Sequence, residues 1–198
     1  MNDQEQFWGG EFGTAYSARN QGPHLIASNL ALFSRVLSRT RGITSVLEFG
    51  ANVGMNLDAL GLLLPGADLC GLEFNDHAVE ILGGKHEAIH DSVLAWETKR
   101  QWDMVLCKGL GIHISPDDLW KLYENLYLSA RKYIVLAEYY SKRPQEVEYR
   151  GNKARMWKRD FATELMNRYP DLSLIDYGFV SEYDAFPLDN INWWLLSK

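Results

Sequence analysis

Residues 46–56 read Val-Leu-Glu-Phe-Gly-Ala-Asn-Val-Gly-Met-Asn and carry the strongest structural signal in the chain. Residues 44–49 are typical of a buried parallel strand, and residues 50–54 predict a glycine-bearing turn into a helix. Glycines belong there because the backbone must turn sharply and approach a ligand closely, with helix N-terminal amides facing that ligand. The stretch therefore predicts an α/β fold that binds a ligand at its first strand-to-helix turn.

The rest of the chain alternates helical and strand-like patterns with short turns. Further strands are expected over residues 68–73, 87–90, 102–107 and 133–137, followed by two final strands over 172–180 and 191–196. We expect one Rossmann-like domain over residues 1–198, with a mostly parallel seven-stranded sheet that ends in an antiparallel hairpin and has helices on both faces. Residues 1–24 precede the first predicted helix as a lid or cap segment, and a long loop follows the fifth strand.

Composition excludes several classes of protein. The 198 residues include 20 basic and 26 acidic side chains, a net charge of −6, which argues against a nucleic-acid partner. No apolar run approaches the roughly 18 residues of a membrane span, and no secretory signal is visible. Cys70 and Cys107 belong to no CxxC pair, so we expect no metal site. We expect both cysteines to be free thiols in the reducing cytoplasm. The expected protein is a monomer or homodimer without a membrane partner.

The glycine turn discriminates between two kinds of cofactor site. A dinucleotide fingerprint needs glycines where this chain has Gly50, Asn52 and Met55, so that fit fails twice. The pattern acid-x-Gly-x-(Gly/Asn)-x-Gly fits instead, through Glu48, Gly50, Asn52 and Gly54. This pattern resembles motif I of class I S-adenosylmethionine-dependent methyltransferases.

The resemblance implies S-adenosylmethionine as cofactor. Glu48 would help to place the ammonium of its methionine tail, and Glu73, at the end of the second strand, would accept both ribose hydroxyl protons. Arg19 would pair with the methionine carboxylate, and the aromatic residues of segment 1–24 would form a lid, or alternatively pin the terminus to the core. The complete predicted cofactor set is Trp8, Tyr16, Arg19, Glu48, Gly50, Ala51, Asn52, Gly54, Asn56, Glu73, Phe74, Asp91, Ser92, Lys108 and Gly109.

Several further segments resemble a narrower group, the methylases associated with pseudaminic acid biosynthesis. With motif I, the segments are spread over nearly the whole length of the chain and lie at residues 7–13, 108–114, 137–140, 149–151, 158–162 and 176–179. This resemblance implies a small-molecule acceptor from nonulosonic acid or surface-polysaccharide pathways.

The insert over residues 139–159 is rich in basic side chains. Residues 142–159 hold seven basic and two acidic side chains in a chain of negative net charge. Guanidinium groups recognise carboxylate or phosphate with paired hydrogen bonds, so an acidic sugar or a sugar-nucleotide is the expected acceptor. A solvated basic loop is the alternative. The predicted substrate residues are Tyr139, Tyr140, Arg150, Lys158 and Arg159.

Methyl transfer to a hydroxyl gains from a general base, and an amine must arrive deprotonated. The candidate bases are His113, which lies beyond the fourth strand, and Glu138, which lies at the end of the fifth strand. Residues 108–111 read Lys-Gly-Leu-Gly instead of the Asn/Asp-Pro-Pro-aromatic motif of enzymes that methylate nucleic-acid bases. A methyltransferase for a small molecule is the main hypothesis; an NAD(P)-binding oxidoreductase and a non-catalytic, methyltransferase-like binding module stay open.

Overall fold

The computed structural model describes residues 2–198, so Met1 of the predicted lid segment lies outside the described residues. The strands β1 to β9 are, in chain order, Ser45–Phe49, Asp68–Glu73, Glu87–His90, Trp102–Lys108, Ala130–Glu138, Gln145–Tyr149, Asn152–Lys158, Ser173–Val180 and Ile191–Ser197. The helices α1 to α7 are Asp3–Gly9, Glu11–Arg19, Pro23–Leu37, Met55–Leu63, Asp76–Gly83, Leu119–Ser129 and Phe161–Arg168, and a 3-10 turn covers Gly111–His113.

Seven strands form one sheet in the order β3-β2-β1-β4-β5-β9-β8. The first five are parallel, and β9 pairs antiparallel with both β5 and β8. This confirms the predicted sheet and its terminal hairpin. The chain order reverses between β1 and β4, and in open α/β sheets ligands bind beyond the carboxyl ends of the strands at such a reversal.

Helices cover both faces of the sheet, as predicted. On one face α3 and α4 pack through Phe33 and Leu60, and on the other face α6 and α7 pack through Leu122 and Leu165. Strand β4 is buried over Trp102–Cys107, which explains why its sequence is apolar almost throughout. No helix within residues 2–198 has the length and apolar character needed to cross a membrane.

Two segments differ from the prediction. Residues 3–19, which precede the first predicted helix, form the two helices α1 and α2. The predicted loop after β5 contains the hairpin of β6 and β7, whose two-residue turn places Arg150 at φ 49° and Gly151 at φ 80°. The left-handed pair suits the twist of a tight hairpin.

Candidate functional site

Two adjoining cavities open at the carboxyl ends of β1 and β4. The inner cavity, of about 100 Å³, lies between the sheet and helices α1 and α2 and is lined by Trp8, Glu73, Phe74 and Ser92 among others. The outer cavity, of about 680 Å³, extends towards the β6–β7 and β8–β9 connections. Five residues line both cavities and therefore mark their junction: Tyr16, Gly50, Asn52, Gly109 and His113.

The motif turn is held by Glu73. Asn52 has φ 48°, a left-handed conformation that asparagine tolerates better than most residues, which explains how it replaces a glycine. Its N–H donates to Glu73 Oε2 at 2.8 Å, while Glu73 Oε1 accepts from the N–H groups of Phe74 and Asn75 at 2.8 and 2.9 Å. A carboxylate has about four acceptor positions. Glu73 therefore has room for about one further donor, where the prediction had required two.

Acceptor oxygens without partners lie beside the outer cavity. Glu48 is fully buried beneath the motif turn and lines neither cavity, and Asn56 Nδ2 donates to its Oε1. Within residues 2–198, Glu48 Oε2 and Asn56 Oδ1 have no hydrogen-bond partner, and neither does Oδ1 of Asn29, a residue absent from the predicted set. Asn29 and Asn56 both line the outer cavity. A ligand group that donates hydrogen bonds would satisfy oxygens of this kind.

Burial shifts the pKa values of two ionisable groups near the motif turn. It raises the pKa of Glu48 to about 8, although the hydrogen bond from Asn56 and the charge of Lys108 oppose the increase. Burial lowers the pKa of Lys108, while the carboxylates of Glu48 and Glu138 act in the opposite direction. Lys108, a member of the predicted cofactor set, lines the outer cavity.

His113 lies at the junction as a neutral imidazole. Burial lowers its pKa to about 4. Its Nδ1 lies 2.7 Å from the carbonyl oxygen of Arg155, so Nδ1 carries the proton and Nε2 keeps a lone pair. This arrangement supplies an unprotonated nitrogen beside both cavities at neutral pH.

Glu138 does not share that position. Its side chain is buried, lines neither cavity, and accepts the N–H groups of Leu110 and Gly111 at 3.1 and 2.8 Å. The carboxylate therefore fixes the 3-10 turn that carries His113. This corrects the prediction that Glu138 is a general base in the cleft.

The helices α1 and α2 cover the inner cavity and are tied to the segments that follow β2 and β3. Asn75 Nδ2 donates to the carbonyl oxygen of Trp8 at 3.0 Å, and the Ser92 hydroxyl donates to Glu5. Gln4 donates to the carbonyl oxygen of Ala154 in β7. The segment predicted as a lid thus contacts both the connections beyond these strands and the hairpin.

Four predicted cofactor residues lie outside both cavities: Glu48, described above, and Arg19, Asp91 and Gly54. Arg19 is exposed on α2. The carboxylate of Asp91 accepts the backbone N–H of Ser92. Gly54 begins α4 at φ 83°, and a Cβ there would lie 2.9 Å from Leu82 Cδ1, so its role is to pack the helix against the core. Ala51 lines the outer cavity.

Two of the five predicted substrate residues line a cavity, and three do not. Tyr139 and Arg150 line the outer cavity. Arg159 pairs with Glu164 at 3.0 Å, and Lys158 Nζ lies 5.4 Å from the centre of the Tyr139 ring. Lys158, Arg159 and the exposed Tyr140 line neither cavity.

The outer cavity also holds a carboxylate that sequence reasoning missed. Asp189, in the connection between β8 and β9, lines it and accepts a hydrogen bond from the Tyr139 hydroxyl at 3.4 Å. Nothing in the local sequence marks Asp189, because only the folded sheet brings that connection beside the end of β5.

Solved structures show the same fold. The plantazolicin methyltransferase BpumL in complex with SAH is 14% identical, with a TM-score of 0.69, and the match covers 98% of this chain and 94% of that one. Magnesium protoporphyrin IX methyltransferase (ChlM) from Synechocystis PCC 6803, with bound SAM, is 14% identical with a TM-score of 0.69, and the match covers 100% and 98% of the two chains. The glycopeptide N-methyltransferase MtfA complexed with SAH is 13% identical with a TM-score of 0.66, over 86% and 89%.

No protein-family model and no curated protein matches the sequence. At these identities, the likeness to solved structures establishes the fold: this chain has the Rossmann-like fold of class I methyltransferases.

Proposed function

We propose that this protein is an S-adenosylmethionine-dependent methyltransferase. The observation that carries the proposal is the pair of adjoining cavities, each lined by side chains that carry hydrogen-bond acceptors: Glu73 in the inner cavity, and Asn29 and Asn56 in the outer cavity. The ribose hydroxyls and the ammonium of S-adenosylmethionine are donors, so the ligand complements both sets of acceptors. Solved structures with the same fold and bound SAM or SAH support this assignment.

The chain's own residues would orient the reaction. When bound, S-adenosylmethionine supplies a methyl group on a positively charged sulfur. The junction of the two cavities would hold that group, because Gly109 leaves the space beside it open. His113 Nε2 would accept the proton of an attacking hydroxyl or amine. Holding the methyl donor and the acceptor in a productive orientation contributes about 7–11 kcal/mol in well-oriented reactions.

We further propose a small, anionic acceptor, an acidic sugar or sugar-nucleotide of the pseudaminic or nonulosonic acid type. Arg150 supports the anionic character, since it is the one basic side chain of residues 142–159 that lines the outer cavity. The sugar class rests on the resemblance of the segments described above. Tyr139 would form a wall against the acceptor.

Calorimetry tests the cofactor directly. Folded protein is titrated in parallel with S-adenosylmethionine, S-adenosylhomocysteine and NADH. We expect micromolar binding of the first two and none of NADH. Absence of heat with both sulfur compounds refutes the proposal, and binding of NADH alone favours the oxidoreductase alternative.

The acceptor is identified by mass spectrometry. A panel of bacterial sugar-nucleotides and nonulosonic acids is incubated with protein and S-adenosylmethionine, and each compound is examined for a gain of one methylene. Neutral hexoses serve as the control panel. Methylation of neutral sugars without any acidic product would contradict the anionic acceptor.

A further inference from the structure

Four rings form a continuous surface across both cavities, named here the aromatic wall: Trp8, Tyr16, His113 and Tyr149. The Trp8 centroid lies 5.3 Å from that of Tyr16, with the planes at 89°, and 4.4 Å from that of His113. The His113 and Tyr149 centroids are 4.9 Å apart. Trp8 faces the inner cavity, Tyr149 faces the outer cavity, and the other two rings face both.

The wall itself is uncharged at neutral pH. Burial raises the pKa of Tyr16 to about 12, so its phenol keeps its proton. Burial also keeps His113 neutral, because it lowers the pKa of the imidazole. Two charged groups that line the outer cavity also act on the phenol of Tyr16: the Asp189 carboxylate raises its pKa, and the Arg150 guanidinium lowers it.

We infer that the ring of Tyr16 recognises the positive charge of the sulfonium, and so strengthens binding of S-adenosylmethionine relative to S-adenosylhomocysteine, whose sulfur is uncharged. The faces of aromatic rings attract cations within about 6 Å, and aromatic enclosures recognise methylated ammonium groups in this way. A trialkyl sulfonium is a cation of the same kind. The inference rests on the proposed function. Its consequence is that the site holds the sulfonium compound more tightly than the thioether product.

The test compares dissociation constants for the two compounds, measured by calorimetry. For Tyr16→Leu we expect the preference for S-adenosylmethionine over S-adenosylhomocysteine to fall about 10-fold relative to the original protein, which is about 1.4 kcal/mol. Tyr16→Phe keeps the ring and should keep the preference. The matched control is Phe12→Leu in the same helix. Phe12 stacks on Phe7 at 4.2 Å but lines neither cavity, so any weakening of binding should be equal for the two compounds.

The outcomes separate the inference from the function on which it rests. If neither compound binds the original protein, the proposed function fails. If both bind and Tyr16→Leu weakens them equally, only the inference is overturned. It is also overturned if the preference falls in Asp189→Asn but not in Tyr16→Leu, because the carboxylate would then recognise the charge. Circular dichroism checks folding, and Tyr16→Met, which also removes the ring, replaces Tyr16→Leu if that variant does not fold.

Discussion

Replacing Gly109 by asparagine separates occupation of the cavity junction from backbone strain. Gly109 has φ 64°, no atom lies within 4 Å of the position that a Cβ would take there, and the residue lines both cavities. An asparagine side chain would extend into the space where the two cavities meet. Overpacking a filled site costs about 1–3 kcal/mol, which corresponds to about 5- to 150-fold weaker binding.

Gly66 provides the matched control. It has φ 85°, a Cβ at this position would likewise meet no atom within 4 Å, and the residue is exposed after α4, away from both cavities. Gly66→Asn and Gly109→Asn should therefore cost similar backbone strain, at most about 1 kcal/mol each, or about 2–4 °C in Tm. The two variants should melt alike and differ only in binding.

The assay is calorimetric titration with S-adenosylmethionine, with thermal melting recorded by circular dichroism. We expect unchanged affinity in Gly66→Asn and a loss within the stated range in Gly109→Asn. Equal affinity in both variants would refute the assignment of the junction to the cofactor. An equal loss in both would show that strain, not occupation, governs binding.

Three further predictions concern single side chains. Glu138→Leu should lower the free energy of unfolding by at least about 2 kcal/mol in urea titrations, because buried N–H groups of the 3-10 turn lose their acceptor. Glu138→Gln should bind S-adenosylhomocysteine normally. A loss of binding in a folded Glu138→Gln variant would show that Glu138 belongs to the site after all. Burial would raise the pKa of Asp103, but hydrogen bonds from Thr44 outweigh it and hold the pKa at about 2, below the ordinary 3.8. The stabilisation is therefore present above about pH 4 and is lost as pH falls towards 2, so Asp103→Asn should flatten the decline in unfolding free energy from pH 5 to 2, and an unchanged slope would contradict this. Arg150→Ala should raise KM for the anionic acceptor about 10-fold, while the exposed Lys142→Ala should not, and equal effects would argue against a specific contact.

The sequence alone predicted the sheet and the position of the cavities. Runs of mainly apolar residues identify strands locally, as in Trp102–Cys107, and the glycines of residues 50–54 identify the turn independently of the rest of the chain. The replacement of a motif glycine by Asn52 was also interpretable, because its backbone conformation is one that asparagine tolerates.

Local patterns did not distinguish a residue in a cavity from one that supports it. Glu138 and His113 both lie near strand ends, yet the first holds backbone amides and the second faces the cavities. Gly54 belongs to the motif and packs against Leu82.

Tertiary structure decided the cover of the site. Helix α1 and the β6–β7 hairpin contact each other through Gln4 and Ala154, which are 150 positions apart. Asp189 reaches Tyr139 across 50 positions. Hydrophobic periodicity and turn chemistry are properties of neighbouring residues, whereas these contacts form only when the sheet brings distant connections to one edge, and for that reason the sequence placed the cavities but not the residues that close them.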